Sequence, residues 1–314
     1  MAHQVSIVVT VYKRTQFLRQ ALLSVLGQTY RHYEVIVTDD SASQTIKEIC
    51  DSMDDARISY LANSPTLGVA LNLRNAILAA HHDYIAILND DDAWEPDFLS
   101  KLIHPLEQNS NLILSYCDHW IMHENGLVDV KKTDENSRFY GRLNLKSGEV
   151  HNLAEIVLDS NGVPLAMAAM FRKDALDIDM LVSDVAGAYD FWISCLLAAT
   201  NRPAYYVSER LTRYRVHRNM ETGRMSPNKG EDIAYIYKVL LRMKVFPDRE
   251  PLLLSRYAQA LYRVGRNRLL FNQVNDARRF FLQSLSIVNS STTILALAAS
   301  YLPIMLRRSL KLSI

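Results

Sequence analysis

This chain has little of what staples or anchors a protein. Its three cysteines, Cys50, Cys117 and Cys195, lie far apart and without metal-ligand spacing. Neither a disulfide framework nor a thiolate metal site is therefore expected, and a reducing compartment suits them. No stretch reaches about 18 uninterrupted apolar residues, which argues against a spanning helix. Met1 to Gln4 run straight into an apolar segment, so no signal peptide is expected and the protein reads as cytoplasmic. Glycine numbers only 10, and no Gly-rich phosphate loop follows the first apolar run, which disfavours a nucleotidyltransferase.

An excess of one charge is also missing, since the formal net charge is +1. That near-neutrality conceals an asymmetry. Residues 241–314 hold 12 basic and 3 acidic side chains, a net +9 that leaves −8 for residues 1–240. The acidic body disfavours a nucleic-acid module, while the basic tail suits anionic lipid or a partner. An apolar share of 49% over 314 residues supplies a full core, enough for one large domain with an appendage.

What is present first is a rhythm of strands and helices. Val5 to Val11 is β-branched nearly throughout and reads as a buried parallel strand. Phe17, Leu18, Ala21, Leu22, Val25 and Leu26 then recur at helical spacing up to Gly27. Glu34–Thr38, Ile58–Leu61 and Tyr84–Leu88 read as further strands, with helices over 43–54 and 69–81 between them. Three such steps predict an α/β sheet covered on both faces. A helix over 96–108 and a strand over 112–116 follow. Residues 118–162 lose periodicity and read as a variable excursion of loops and short strands, a usual place for a substrate wall. Leu165 to Phe171 resume the core, a helix covers 189–199, and two late strands fall at 204–207 and 211–215. From about Lys229 the chain reads as helical, broken near Pro247, Asn272 and Pro303. The expected division is 1–228, with a donor half at 1–117 and an acceptor half at 118–228, then a basic helical extension at 229–314.

The chemistry concentrates in Asn89-Asp90-Asp91-Asp92, just past a buried-looking strand. Three consecutive carboxylates there cannot all ionise cheaply unless something cationic shares the site, and a hard divalent ion with oxygen ligands is the natural candidate. The bland alternative is a solvated acidic turn. Asp39-Asp40 closes another strand, and two strands ending in carboxylates begin a ligand site at the carboxyl edge of an open sheet.

These segments carry a family pattern. Val5 through Tyr12, Ser24 through Tyr30, Glu34 through Ser41, Leu88 through Pro96 and the late Tyr214-Arg215-Val216-His217 together resemble family 2 of the inverting, GT-A-fold glycosyltransferases. The resemblance covers roughly residues 4–220. It implies a mixed α/β sheet flanked by helices and a sugar transfer from a nucleotide donor, UDP-linked by preference, to a glycan or lipid-linked saccharide, with Mg²⁺ or Mn²⁺. A dTDP-sugar donor and a degenerate, non-catalytic nucleotide-sugar binder are the alternatives. By resemblance Asp91 holds the metal, and His217 closes over the diphosphate, either ligating the metal or donating a hydrogen bond. Asp40 accepts from the imide N–H of the uracil, although a helix N-cap would also explain it. Asp39 holds the ribose or shapes the turn. Thr10, Tyr12, Arg14, Gly68, Arg74, Asn89, Asp90, Arg215 and Arg218 complete the donor side. Asn89 departs from the family's usual first Asp.

An inverting transfer also needs a base near the acceptor hydroxyl. The family's Glu-Asp pair would fall at Gly187-Ala188, so Asp190 or Asp184 is left for that role. Trp94 either lies beside the sugar or staples the acidic loop to the next helix. In the tail, 253–270 and 275–288 read as paired amphipathic helices. Residues 292–306 are apolar ahead of Arg307-Arg308 and Lys311, which fits a peripheral contact with the inner face of the membrane or a packed subunit face.

Overall fold

A computed structural model describes residues 4–218, 220 and 226–303. Two compact units divide the chain, residues 1–218 and 219–314. The division falls ten residues ahead of the expected 228/229, because the last strand of the sheet ends at Val216.

In the first unit the elements alternate as their apolar rhythm predicts. They are β1 (Val5–Val11), α1 (Leu18–Leu26), β2 (Tyr33–Asp39), α2 (Gln44–Asp51), β3 (Ile58–Ala62), α3 (Val69–Ala79), β4 (Tyr84–Asn89), β5 (Ala93–Trp94) and α4 (Phe98–Gln108). The chain goes on through β6 (Leu114–His123), α5 (Val130–Phe139), β7 (Gly148–Val150), α6 (Leu153–Ser160), α7 (Leu165–Ala168), β8 (Ala169–Arg172), α8 (Tyr189–Ala199) and β9 (Ala204–Val216). One mixed sheet runs β3-β2-β1-β4-β8-β6-β9-β5, with β7 paired to β9. Strands β3, β2, β1 and β4 are parallel, and β8 lies antiparallel between β4 and β6.

The core explains the sequence. Every residue of β1 is buried, and α1 sets Leu18, Ala21, Leu22 and Val25 against the sheet. Each large aliphatic side chain so buried contributes roughly 1.5–3 kcal/mol. Register then does the positioning. Thr10 lies opposite both Thr38 and Asn89, and Val11 opposite Asp39, so the acidic ends of β2 and β4 share one edge of the sheet.

Two segments differ from expectation. Residues 118–123 continue β6, and 130–139 form a helix where no periodicity was legible. The buried positions of α5 are Thr133 and Ser137, so its inner face is polar. Asp129 caps it by accepting from Lys132 N at 2.9 Å, and Ser137 Oγ donates to the buried Asp118 at 2.5 Å. The two late strands are one, β9, whose exposed Ser208 and Glu209 mimic a gap. It runs parallel to β6, with the register slipping on either side of Asp118.

The second unit comprises α9 (Glu231–Met243), α10 (Glu250–Leu270), α11 (Val274–Ile287) and α12 (Ser291–Ala299). Leu261, Val264, Ala277, Phe281 and Ser284 are buried, as the amphipathic pattern predicts. Gly265 fixes the approach of α10 to α11. A Cβ there would meet the Phe281 ring at 2.7 Å, closer than carbon atoms pack. Residues 304–314 of the apolar-then-basic tail lie outside the described residues.

Candidate active site

The donor half is built from two carboxylates with different duties. Asp39 is spent on its own turn. Its Oδ1 accepts from Ser41 N at 2.8 Å and Ser41 Oγ at 2.6 Å, and its Oδ2 accepts from Ser43 N at 2.7 Å and Tyr60 Oη at 2.8 Å. Asp39 so holds the turn leading to Ser43, the N-cap of α2, which has no side-chain cap, and Asp40 does not cap that helix. Asp40 turns the other way, accepting from Leu67 N at 2.7 Å, Gly68 N at 2.8 Å and Asn63 Nδ2 at 3.3 Å. Gly68 stands at φ 88°, a backbone conformation that glycine adopts cheaply. Thr10 is buried at the end of β1, while Tyr12 is 47% exposed in the turn that follows.

The acidic turn follows β4 at the same end of the sheet, and Arg14 meets part of its charge. Asp90, Asp91 and Asp92 are all buried. Arg14 embraces Asp90 through Nη2 to Oδ1 and Nε to Oδ2, the latter at 3.2 Å, and its Nη1 donates to Asp91 Oδ2 at 2.7 Å. Burial still pushes the Asp90 carboxyl up to about 7, against the pull of Arg14. Asp92 is driven well above the usual carboxylate range by burial and by Asp91. His217 Nε2 stands 3.0 Å from the same Asp91 Oδ2, with Phe17 against its ring. Among the described residues no group of three His, Cys, Asp or Glu is set to hold an ion unaided. Magnesium-type sites, however, take one or two protein carboxylates and draw the rest from water and phosphate, a pattern that Asp91 fits, while the His217 imidazole suits a transition ion better than Mg²⁺.

Arg215 lies where the resemblance put a phosphate ligand, but its donors go to the protein. Nε donates to Asp91 O at 2.7 Å, Nη1 to Glu124 O at 3.2 Å and Nη2 to Gln20 Oε1 at 2.9 Å, while its backbone N donates to Asp92 Oδ1 at 2.9 Å. It fastens the acidic turn to β9. Arg74 likewise pairs with Asp179. Arg218 is exposed at the end of the unit. Trp94 is a staple: it is buried, stacked on Phe98 at 4.2 Å, and its Nε1 donates to Met167 O at 2.7 Å.

On the acceptor side Asp190 occupies the first turn of α8, where Oδ1 accepts from Phe191 N at 2.7 Å. Asp184 is exposed in a 3-10 segment that ends at Ala188. Ala186, between the two candidates, is held at φ 35° and ψ −121°, a costly conformation for a residue with a Cβ. The sequence reading missed Tyr189. Its Oη donates to Asn89 Oδ1 at 3.0 Å and so joins α8 to the acidic turn. Its place directly before Asp190 was the only available signal.

Comparisons with known proteins bear on the family and the fold. Residues 6–157 match the family model for Glycosyl transferase family 2. The chain is 25% identical over 256 residues to the Escherichia coli UDP-Glc:alpha-D-GlcNAc-diphosphoundecaprenol beta-1,3-glucosyltransferase WfaP, covering 81% of this chain and 92% of that one. Among solved structures, S. aureus TarS 1-349 in complex with UDP-GlcNAc superposes with a TM-score of 0.67 at 14% identity, over 98% of this chain and 91% of that one. The mannosyltransferase PcManGT from Pyrobaculum calidifontis, in complex with GDP-Man and Mn2+, gives 0.57 at 15% identity, over 98% and 83%. At these identities the structural likeness speaks for the fold alone. The sequence match speaks for the family: residues 6–157 are a glycosyltransferase family 2 region, in a chain whose fold is that of a GT-A glycosyltransferase.

Proposed function

We propose that this glycosyltransferase moves a hexose from a UDP-linked donor to a hydroxyl of a lipid-linked saccharide, with inversion. The single observation that carries the reading is the shared edge of β1, β2 and β4. Asp40, just past β2, and the Asp91–His217 pair, just past β4, follow strands that end at the same edge, with β1 between them. Kinship with WfaP supports the donor and the lipid-linked acceptor.

Asp40 keeps capacity for a base. A carboxylate offers about four acceptor directions, and three donors now use it, which leaves one for a pyrimidine imide N–H. Asp91 and His217 would hold a divalent ion, Mg²⁺ or Mn²⁺. When bound, such an ion neutralises and polarises the leaving diphosphate. Arg14, now on Asp90 and Asp91, is the chain's own cation at that spot. Asp190 would take the acceptor's proton, and the dipole of α8, whose first turn it occupies, favours its ionised form until then.

The C-terminal unit is read as a peripheral contact with anionic lipid. Its basic surplus and the exposure of Ile294 (51%) and Leu295 (68%) on α12 support that reading. No described helix is long and apolar enough to cross a membrane.

Calorimetry of UDP with and without Mn²⁺ tests the site. Asp91→Ala should abolish the metal-dependent share of UDP affinity, and undiminished binding would overturn the assignment.

A further inference from the structure

Two places where this chain departs from the family's pattern are joined through Tyr189. Asn89 stands in for an acid, and Gly187-Ala188 for an acidic pair. Tyr189, the next residue, donates its phenol proton to Asn89 Oδ1 at 3.0 Å. The other half of the same amide, Nδ2, donates to Asp92 Oδ2 at 3.2 Å, and Asp92 Oδ1 accepts from Arg215 N at 2.9 Å. One continuous hydrogen-bonded line thus runs from α8 through the acidic turn to β9.

The residue types are not interchangeable along that line. An amide presents an acceptor to the phenol and a donor to the carboxylate, and only one orientation satisfies both neighbours. An aspartate at 89 would set a further carboxylate against Asp92, in a turn that already holds three. Tyr189 and Asp92 are both buried, so an unmade bond on this line would find little water to replace it.

We propose that Tyr189 and Asn89 act as one positioning pair. They hold the first turn of α8, and with it Asp190, in register with the acidic turn during transfer. This rests on the transferase reading above.

The test uses the full chain, Mn²⁺, UDP-glucose and a diphospholipid-linked GlcNAc as the acceptor hydroxyl, with UDP released beyond an acceptor-free control as the measure of transfer. Tyr189→Phe should lower kcat about tenfold while KM for the donor and the calorimetric affinity for UDP stay within about twofold. Asn89→Ala should do the same, and the double variant should lose no more than the worse single one, because both remove the same link. A Tyr189→Phe enzyme with unchanged kcat, or losses that multiply in the double variant, overturns the pairing. If a single variant melts several degrees lower, turnover is read well below both melting temperatures, where each chain is folded, and a kcat that then equals that of the wild type overturns the pairing. A wild-type chain that neither binds UDP nor releases it from UDP-glucose sinks the transferase reading, and this inference with it. Normal wild-type turnover with an indifferent Tyr189→Phe sinks the inference alone.

Discussion

Replacing Arg14 with alanine should make the acidic turn a better binding site for Mn²⁺ in the absence of nucleotide. The guanidinium makes three contacts, two to Asp90 and one to Asp91, and its own side chain is 37% exposed while those of the carboxylates are 1% and 13% exposed. A charge-assisted hydrogen bond contributes about 1.5–3 kcal/mol when buried, and exposure of the arginine reduces the set to about 2 kcal/mol in total. An incoming ion has to displace only the contact at Asp91, about a third of that set, so its removal should tighten Mn²⁺ binding by roughly threefold. Calorimetry or the electron paramagnetic resonance of free Mn²⁺ reads this directly, at low salt, with circular dichroism confirming the fold. Arg14→Lys, which keeps a charge and loses the fork, should fall between. Unchanged or weaker Mn²⁺ binding in Arg14→Ala would refute the reasoning, because the arginine would then be shaping the turn and not holding the place of an ion.

Asp190→Asn should keep UDP affinity while reducing transfer at least a hundredfold; normal turnover in a UDP-release assay would redirect attention to Asp184. Burial holds the His119 imidazole down to about 4, with Arg142 adding to the effect. The unfolded chain takes up that proton near pH 6.5 and the folded one does not, so stability is full above 6.5 and declines as pH falls towards 4. Between pH 7.5 and 5 the loss is on the order of 2 kcal/mol, and His119→Gln should remove it from the pH series of urea midpoints. Arg142 is buried and donates to Asp118 Oδ1 at 2.8 Å, Asn136 Oδ1 at 2.7 Å and Gly162 O at 3.2 Å. Arg142→Met should therefore cost about 3–5 kcal/mol in urea unfolding, since Asp118 is left buried beside a lost partner. Deleting residues 292–314 should weaken co-sedimentation with phosphatidylglycerol vesicles; an unchanged pellet together with a change in oligomeric state would assign α12 to a subunit contact instead.

The parallel half of the sheet was legible because its strands are continuous apolar runs, and the acidic turn because its charge density is chemically awkward wherever it sits. Helix α5 was not legible. Hydrophobic periodicity reads apolar faces, and this helix turns Thr133 and Ser137 inward and is held by polar bonds. Strand β9 was read as two because its middle faces solvent, and only the partner strand β6 reveals that pairing continues across the slip at Asp118. The roles of the charged residues divide along the same line. That Asp39 and Asp40 end a strand follows from local pattern. Which of them caps its own turn depends on Tyr60 and Gly68, 20 and more residues away. Arg14 and Arg215 were placed on the donor side, yet their donors meet Asp90, Asp91, Glu124 and Gln20, partners that sequence spacing does not reveal.

The antiparallel position of β8 carries a consequence for any shortened version of this enzyme. A polypeptide stopping at residue 157, the limit of the family match, would contain every acidic residue of the turn and still leave Tyr84 to Ala86 without the neighbour that Met170 to Arg172 supply. It would also lack Arg215 and His217, the two clasps on Asp91 and Asp92. The residues that announce the chemistry arrive first along the chain, and those that seal the sheet around them arrive last. A bare apolar border in the middle of the sheet invites pairing between copies. The smallest unit that can be both sealed and competent therefore extends to about residue 218.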